Sequence, residues 1–268
     1  MISLKEALVR KNRSINIDDL TMQKIWEYLN KNYTFSEDSR HYVKADELKS
    51  KIEITPEGVV NAPGLSIKCV ATSITSLTDG EFKFGKCSTF DCRERYSLKS
   101  LKGAPTEITH YLFCQDCINL ESIDEDITIQ REPREIFMPG VYFDGCEKLK
   151  SLKGLHIPIC DYFSVEGCEN LLDLQGGPTT YCVKLNCNGC IKLKSLKGAP
   201  YEVREKMICT NCSSLKQFKD IENNKIEKIE IDENTYNKFT TGKIKCPNNY
   251  KFSSWVYPKS YFYLYYKK

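Results

Sequence analysis

The chain has 268 residues, of which 41% are hydrophobic and 28% are charged, and its formal net charge is +3. This is the composition of an ordinary globular protein that can bury a sizeable core. The small positive charge does not by itself indicate nucleic-acid binding. No apolar run reaches about 18 residues, the length that indicates a transmembrane helix, so we expect no membrane partner.

Residues 1–60 carry a helical pattern that predicts a small N-terminal cap. Asp18 or Asp19 can cap a helix over residues 20–29, and a second helix is predicted near residues 45–48. The first residues show no basic segment followed by an apolar stretch, so we expect no secretory signal and a cytoplasmic protein. The fourteen cysteines are therefore predicted to be reduced core thiols or metal ligands, because a disulfide framework belongs to secreted proteins.

From about residue 61 the sequence repeats with a period of about 22 residues, as C-x-x-L-x-S-L-x-G-x-P-x-x-V. Apolar residues five and three positions before each cysteine alternate with outward positions, which predicts a short β-strand with one face inward. The Gly-x-Pro that follows predicts a turn. The cysteine column comprises Arg95, Cys117, Cys146, Cys168, Cys190 and Cys212, and the leucine column three residues later comprises Leu98, Leu120, Leu149, Leu171, Leu193 and Leu215.

A strand, a turn and a return in one repeat form one coil of a solenoid, whose coils must stack because none can bury its apolar side alone. The predicted fold is mostly β: a leucine-rich-repeat-like right-handed solenoid over residues 61–234, with a parallel sheet of roughly seven strands. Residues 235–268, which include Trp255, are predicted to form an aromatic C-terminal cap. One repeat is seven residues longer than the others, which places an insertion around residues 129–135.

The segment Leu-Lys-Ser-Leu-Lys-Gly-Ala-Pro occurs at 98–105 and again at 193–200, and Ile-Thr-Pro-Glu-Gly-Val-Val-Asn-Ala-Pro-Gly at 54–64 leads into the first coil. These repeats resemble the leucine-rich-repeat-like proteins found widely in bacteriophage genomes. They are also similar to the cysteine-containing repeats of some bacterial surface leucine-rich-repeat proteins, whose period is about one residue longer. The resemblance covers residues 54–220. It implies an accessory phage protein that acts inside or against a bacterial host, and it implies no catalytic residue.

Two Cys-x-x-Cys pairs match, as a pattern, a four-cysteine zinc site. They are Cys187 with Cys190 and Cys209 with Cys212. The same repeat positions hold apolar residues such as Phe143 in other coils, so a ladder of buried thiols explains both pairs without metal. We therefore expect no cofactor, and zinc stays the alternative at these four cysteines.

Nothing in the sequence predicts an active site. The three histidines, His41, His110 and His156, have no metal-ligand or triad-like spacing, and no glycine-rich phosphate loop follows a predicted strand. Most cysteines are predicted to point inward, where thiols are unreactive. We therefore expect that the protein is not an enzyme.

The outward strand positions, four and six residues before the cysteine column, predict a candidate partner-binding surface. Neighbouring strands lie about 4.8 Å apart, so aromatic rings at these positions should touch, and protein interfaces favour such rings. The alternative interpretation is that the rings only stabilise the sheet by cross-strand pairing. The predicted residues are Tyr111, Phe113, Tyr142 and Tyr162, with Arg93, Asp144 and Glu166 between them and Arg131 and Arg134 beside them on the insertion.

A second candidate surface is a lysine stripe, which could follow a phosphate backbone. The alternative is a solvated face that keeps the turns soluble. One row of the stripe comprises Lys99, Lys150, Lys194 and Lys216, and the other comprises Lys102, Lys153, Lys197 and Lys219.

The sequence therefore predicts a non-enzymatic protein-binding module that engages a host or viral protein, with counter-defence inhibition as one such role. A virion or host-attachment component is a rival within the same class. Nucleic-acid or nucleotide binding through the lysine stripe is the rival from another class.

Overall fold

The computed structural model describes residues 19–80, 82–252 and 261–267. It is mostly β, with 33% strand and 13% helix, and its parallel sheet winds into a solenoid of about eight turns. The fold class expected from the repeat is confirmed, with one turn more than the roughly seven strands predicted.

The described part of the chain contains two α-helices, two 3-10 helices and fifteen strands. The helices are α1 (Asp19–Asn32) and α2 (Glu233–Thr240), and the 3-10 helices are Ala45–Lys51 and Lys219–Ile221. The strands are β1 (Tyr33–Ser36), β2 (Glu53–Ile54), β3 (Val59–Cys69), β4 (Lys83–Asp91), β5 (Glu107–Phe113), β6 (Ile127–Ile129), β7 (Gly140–Tyr142), β8 (Leu155–His156), β9 (Ile159–Ser164), β10 (Tyr181–Asn186), β11 (Glu202–Ile208), β12 (Lys225–Ile226), β13 (Lys228–Asp232), β14 (Tyr250–Phe252) and β15 (Tyr261–Tyr266).

Eight strands lie parallel, one for each turn, in the order β3-β4-β5-β7-β9-β10-β11-β13. Equivalent residues of successive repeats are paired, as Phe90 with Leu112 and Val141 with Phe163 show. This register stacks each apolar column on itself, and every member of the leucine column is fully buried. A slip of one residue would turn all of these side chains to the opposite face, so the hydrophobic pattern fixes the register.

The cysteine column forms a ladder of thiols inside the solenoid. Each thiol donates to a carbonyl of the preceding turn: the Sγ of Cys168 lies 3.2 Å from the oxygen of Phe143, and the Sγ of Cys190 lies 3.1 Å from that of Val165. A cysteine therefore fills a small apolar position and also partners a buried carbonyl, which an alanine cannot do.

Two backbone positions with positive φ recur along the solenoid. The first precedes the cysteine column and was not identified from the sequence. The second is the glycine column, where Gly176 has a φ of 97° and a Cβ would lie 2.1 Å from the carbonyl oxygen of Leu152. The glycine is therefore required both by its own conformation and by the close approach of the neighbouring coil. The first position holds Glu94, Asp116, Gly145, Gly167, Gly189 and Asn211.

The N-terminal cap combines a helix with a strand. Helix α1 begins by Asp19 and buries Ile25 and Leu29, whereas Asp18 lies outside the described residues. Strand β1 then pairs antiparallel with β3 and covers the edge of the sheet. Within residues 19–60 the cap contains both predicted helical segments, the second as a 3-10 helix, and it adds strands that were not predicted, because the exposed edge of a sheet is best satisfied by another strand.

The C-terminal cap also closes the sheet with antiparallel strands. Strand β15 pairs with β13 on one side and with β14 on the other. Helix α2 packs on this end, where the rings of Tyr236 and Phe262 stack with their centroids 4.1 Å apart. The predicted cap residue Trp255 lies outside the described residues.

The insertion interrupts one turn of the solenoid at its corner. Strand β6 pairs with the first half of β5, and β7 pairs with the second half. The two strands are therefore halves of one coil strand, separated by residues 130–139. In β10 the equivalent corner is passed within a single strand by a bulge between Cys182 and Lys184.

Candidate functional site

Four aromatic side chains on β5, β7 and β9 form a continuous stack on the outward face of the sheet. The ring centroids of Tyr111 and Phe113 lie 5.3 Å apart, those of Phe113 and Tyr142 5.2 Å, and those of Tyr142 and Tyr162 5.4 Å. All three pairs are stacked, with interplanar angles of 15°, 23° and 19°. The expected contact between these rings is confirmed. We call these four residues the aromatic stack.

A cation covers each side of the aromatic stack. The guanidinium carbon of Arg93 lies 4.9 Å from the ring centroid of Phe113, and the Nζ of Lys184 lies 5.1 Å from that of Tyr162. Arg93 is held by the buried carboxylate of Asp91, with Nη2–Oδ2 and Nε–Oδ1 distances of 2.7 and 3.0 Å. The rings are therefore fixed by stacking and by cation–π contacts before any partner arrives.

Asp144 and Glu166 lie beside the aromatic stack and are held by polar neighbours. Ser164 donates to Asp144, and Asn186 donates to Glu166 at 2.7 Å. Burial raises the pKa of the Asp144 carboxyl, and it raises the pKa of Tyr142 to about 12. Both predicted carboxylates thus line the face next to the rings, and both already accept hydrogen bonds from this chain.

The insertion lies next to the aromatic stack and is anchored by ion pairs. Lys86 contacts Glu132 at 2.6 Å, and the Nε2 of His110 lies 3.2 Å from the Oε1 of Glu135. The predicted Arg131 donates to the carbonyl oxygen of Glu135 at 3.1 Å. Arg131 and Arg134 are both exposed, and within the described residues neither forms an ion pair.

The tip of the insertion exposes two large apolar side chains that the sequence-based prediction missed. Ile136 is 88% exposed and Phe137 is 74% exposed. Both follow a run of charged residues within a segment that breaks the repeat, and this contrast was the available signal. Such neighbouring apolar residues, fully in water on an anchored segment, are typical of a contact surface.

A hydrogen-bonded cluster at the base of the insertion was also missed. The Oγ of Ser88 lies 3.0 Å from the Nδ1 of His110, whose Nε2 contacts Glu135. The three residues come from β4, β5 and the insertion, so their spacing in sequence matches no motif. Only the stacking of coils brings them together, at the wall of a cleft of about 360 Å³.

The eight lysines of the stripe are all exposed, as a solvated row requires. One of them is neutralised, because Lys150 contacts Glu121 at 2.6 Å and lowers the pKa of that carboxyl. The stripe lies on the turns, away from the strands that carry the aromatic stack.

The four cysteines considered for zinc are free and buried. The Sγ atoms of Cys187 and Cys209 lie 3.5 Å apart, while Cys190 and Cys212 donate to backbone carbonyls. In the described part of the chain, no group of three or more histidine, cysteine or acidic side chains has an arrangement that could hold a metal ion. The hydrogen bond with Cys209, together with burial, raises the pKa of the Cys187 thiol, and burial raises the pKa of the Cys190 thiol, which favours the protonated form that the ladder uses.

The comparisons with known proteins add no relative to this geometry. No family model matches the chain, and neither a curated protein nor a solved structure matches it. Among the described residues, no helix is both long and apolar enough to cross a membrane.

Proposed function

We propose that the protein binds another protein through the aromatic stack and the adjoining tip of the insertion. The observation that carries this proposal is the exposed pair Ile136 and Phe137 beside four rings that are already stacked and covered by cations. Aromatic residues and arginines dominate the binding energy of protein interfaces. Because the rings are held in place, little side-chain entropy remains to be lost on association.

The charges near the tip indicate the chemistry of the partner. Glu132 and Glu135 are engaged by Lys86 and His110, so Arg131 and Arg134 supply the cations without a carboxylate partner. A partner with an apolar surface bordered by acidic groups would complement this arrangement. The resemblance of the repeats to phage leucine-rich-repeat-like proteins favours a bacterial host protein as this partner, in the host cytoplasm, with inhibition of a defence system as one role.

An affinity pull-down from bacterial lysate, with and without nuclease, tests the proposal. We expect the wild type to retain a nuclease-resistant protein, identified by mass spectrometry. The triple variant Tyr111→Ala, Phe113→Ala, Tyr142→Ala and the double variant Ile136→Ser, Phe137→Ser should each lose it.

The matched control is the double variant Tyr96→Ala, Tyr201→Ala, which removes two exposed aromatic rings outside the aromatic stack. It should retain the protein. With the purified partner, each test variant should bind at least about tenfold more weakly, a change of about 1.4 kcal/mol. If both test variants retain the protein, the proposal is contradicted. It is also contradicted if the wild type retains no host protein, which is the result expected of a virion component.

Nucleic-acid binding through the lysine stripe is the second candidate, favoured by two exposed rows of lysines. In the same pull-down, this candidate predicts that the material retained by the wild type disappears with nuclease and is retained equally well by the aromatic variants. Affinity for a nucleic acid should fall steeply as salt is raised, and the variant Lys194→Glu, Lys197→Glu should weaken it for every sequence alike.

A further inference from the structure

We propose that Ser88, His110 and Glu135 form a hydrolytic site that cleaves small carboxylic esters. The site is independent of the proposed protein binding and departs from the expectation that the protein is not an enzyme. Its three side chains stand in the relation of nucleophile, base and orienting carboxylate. They line one cleft, at the corner where β4, β5 and the insertion meet.

The hydrogen bonds assign the roles. The Oε1 of Glu135 lies 3.2 Å from the Nε2 of His110 and accepts a hydrogen bond from its N–H. The proton is then on Nε2, so Nδ1 carries a free lone pair. Nδ1 lies 3.0 Å from the Oγ of Ser88, and its lone pair accepts a hydrogen bond from the serine hydroxyl. In serine proteases Nε2 is the base and Nδ1 contacts the carboxylate, and here the two nitrogens have the opposite roles. The base can still act, because both nitrogens lie in the ring plane.

The insertion exists in one coil alone, and it supplies the carboxylate. Its Glu135 is held in turn by the backbone N–H of Glu132, which donates to Oε2 at 3.3 Å, and Glu132 is anchored by Lys86 at 2.6 Å. A repeat that is otherwise regular is therefore broken where a carboxylate is placed against a histidine. Such local breaks in a consistent pattern are expected at functional sites.

One neighbour of the base supplies a donor for the developing oxyanion. The hydroxyl of Thr109 also lies 3.0 Å from the Nδ1 of His110, and one lone pair can accept from only one hydroxyl at a time. When Ser88 donates to Nδ1, the hydroxyl of Thr109 is free to donate to a substrate oxygen. The ammonium of Lys86 lines the same cleft, where it is already paired with Glu107 at 2.8 Å and with Glu132 at 2.6 Å.

The reaction uses water and no other co-reactant. The Oγ of Ser88 bonds to the ester carbonyl carbon while its proton passes to the Nδ1 of His110. The bond to the alcohol oxygen then breaks, and that oxygen takes the proton from Nδ1. Water attacks the acyl-serine and gives a proton to Nδ1, and the acyl bond to Ser88 breaks as Oγ recovers that proton. The products are a carboxylic acid and an alcohol.

The cleft limits the substrate to a small ester. Its volume of about 360 Å³ lies near the lower end of ligand sites, which span roughly 300–1,000 Å³. Hydroxyl groups and carboxylates dominate its lining, and the ring of Tyr111 forms one wall. A short acyl group on a polar alcohol fits this chemistry better than a long alkyl chain.

The test uses the purified full-length protein with a fluorescent fluorophosphonate, which reacts with base-activated serines as fluoride leaves phosphorus. We expect a single adduct, mapped by mass spectrometry to Ser88, and slow hydrolysis of p-nitrophenyl acetate. Ser88→Ala should abolish both signals, and His110→Ala should slow labelling at least about 100-fold, as expected for loss of a general base. A known serine esterase, labelled in parallel, confirms that the probe is active.

Three further variants separate catalysis from a structural role. Ser213→Ala, at an exposed serine away from the cleft, should label like the wild type, and Thr109→Val should keep the adduct on Ser88. Glu135→Gln, which keeps a hydrogen-bond acceptor at Nε2, should slow labelling of Ser88 at least about tenfold, because the amide carries no charge to stabilise the imidazolium that forms when His110 takes the serine proton. A contact that only holds the insertion in place would be kept by glutamine and would leave the labelling rate unchanged.

The proposal is overturned if Ser88 carries no adduct in a protein whose circular dichroism and thermal midpoint show an intact fold. It is equally overturned if labelling is as fast in His110→Ala as in the wild type, or if the adduct maps to Thr109. Protein binding through the aromatic stack is measured separately by the pull-down, so either proposal can fail while the other holds.

Discussion

The coils around β9, β10 and β11 differ from the coil that contains the insertion, although both follow the same repeat. In the regular coils, thiols, asparagines and carboxylates are engaged by a neighbouring coil, as the thiol of Cys190 is by the carbonyl oxygen of Val165 in the preceding coil and as Glu166 is by Asn186 in the following one. In the interrupted coil, two apolar side chains project into water, and the carboxylate of Glu135 contacts His110 of the preceding coil, which also lies within hydrogen-bond distance of Ser88.

This difference separates stability from function within one chain. Stacking of identical columns gives nearly every buried polar group a hydrogen-bond partner within the solenoid. It leaves few exposed side chains that could recognise another protein. The interrupted coil still pairs with the coils on both sides through β6 and β7. It also carries two exposed apolar side chains and a carboxylate that the stacking does not require. Substitutions in the two regions should therefore have opposite consequences.

The largest effect on stability is expected in a regular coil, from Gly176→Ala. The φ of 97° and the carbonyl of Leu152, 2.1 Å from the site of a Cβ, leave no room for a side chain. We expect a loss of at least about 3 kcal/mol in the free energy of unfolding, measured by urea denaturation.

Gly64→Ala is the matched control, because its φ is 76° and no atom lies within 4 Å of the added Cβ. It should cost only the conformational strain, about 1 kcal/mol. Equal losses in the two variants would show that the close approach of neighbouring coils is not what requires glycine.

Excision of residues 131–137, which restores a repeat of ordinary length, should have a smaller effect on stability. The ion pairs that hold the insertion are partly exposed, so we expect a change within about 1 kcal/mol and an unchanged circular dichroism spectrum. The same excision should abolish both capture of the partner and labelling of Ser88. A protein that unfolds on excision would refute the idea that the insertion serves function alone.

The smallest effect is expected from Asp144→Asn, and it depends on pH. Burial raises the pKa of this carboxyl in the folded state, so the ionised form costs stability above the folded-state pKa and the protonated form does not. Relative to the wild type, the variant should gain stability as pH rises from about 4 to 7, within about 0.5 kcal/mol. Thermal midpoints across this range measure it, and a gain toward acidic pH would contradict the assignment.

The sequence predicted the parts of the fold that depend on local pattern. The 22-residue spacing of Cys146, Cys168 and Cys190 and the leucines after them identified the solenoid and its inward columns. The alternation of strand residues also identified which rings face outward, and their contact is found as expected. The role of these rings in binding stays a prediction.

Local sequence pattern could not predict the cap strands or the cluster of Ser88, His110 and Glu135. Strand β1 forms because an open sheet edge needs a partner, which is a property of the assembled sheet and not of residues 33–36. The cluster depends on which corner positions of successive coils face one another.

By itself, the sequence therefore determined the solenoid, because a repeat of fixed length imposes one hydrophobic register on every coil. Only the tertiary structure decided which residues of β4 and β5 contact the insertion. Those contacts depend on how far the lengthened coil folds back over the neighbouring coils. Residues 22 and 25 positions apart in sequence thereby become hydrogen-bonded neighbours.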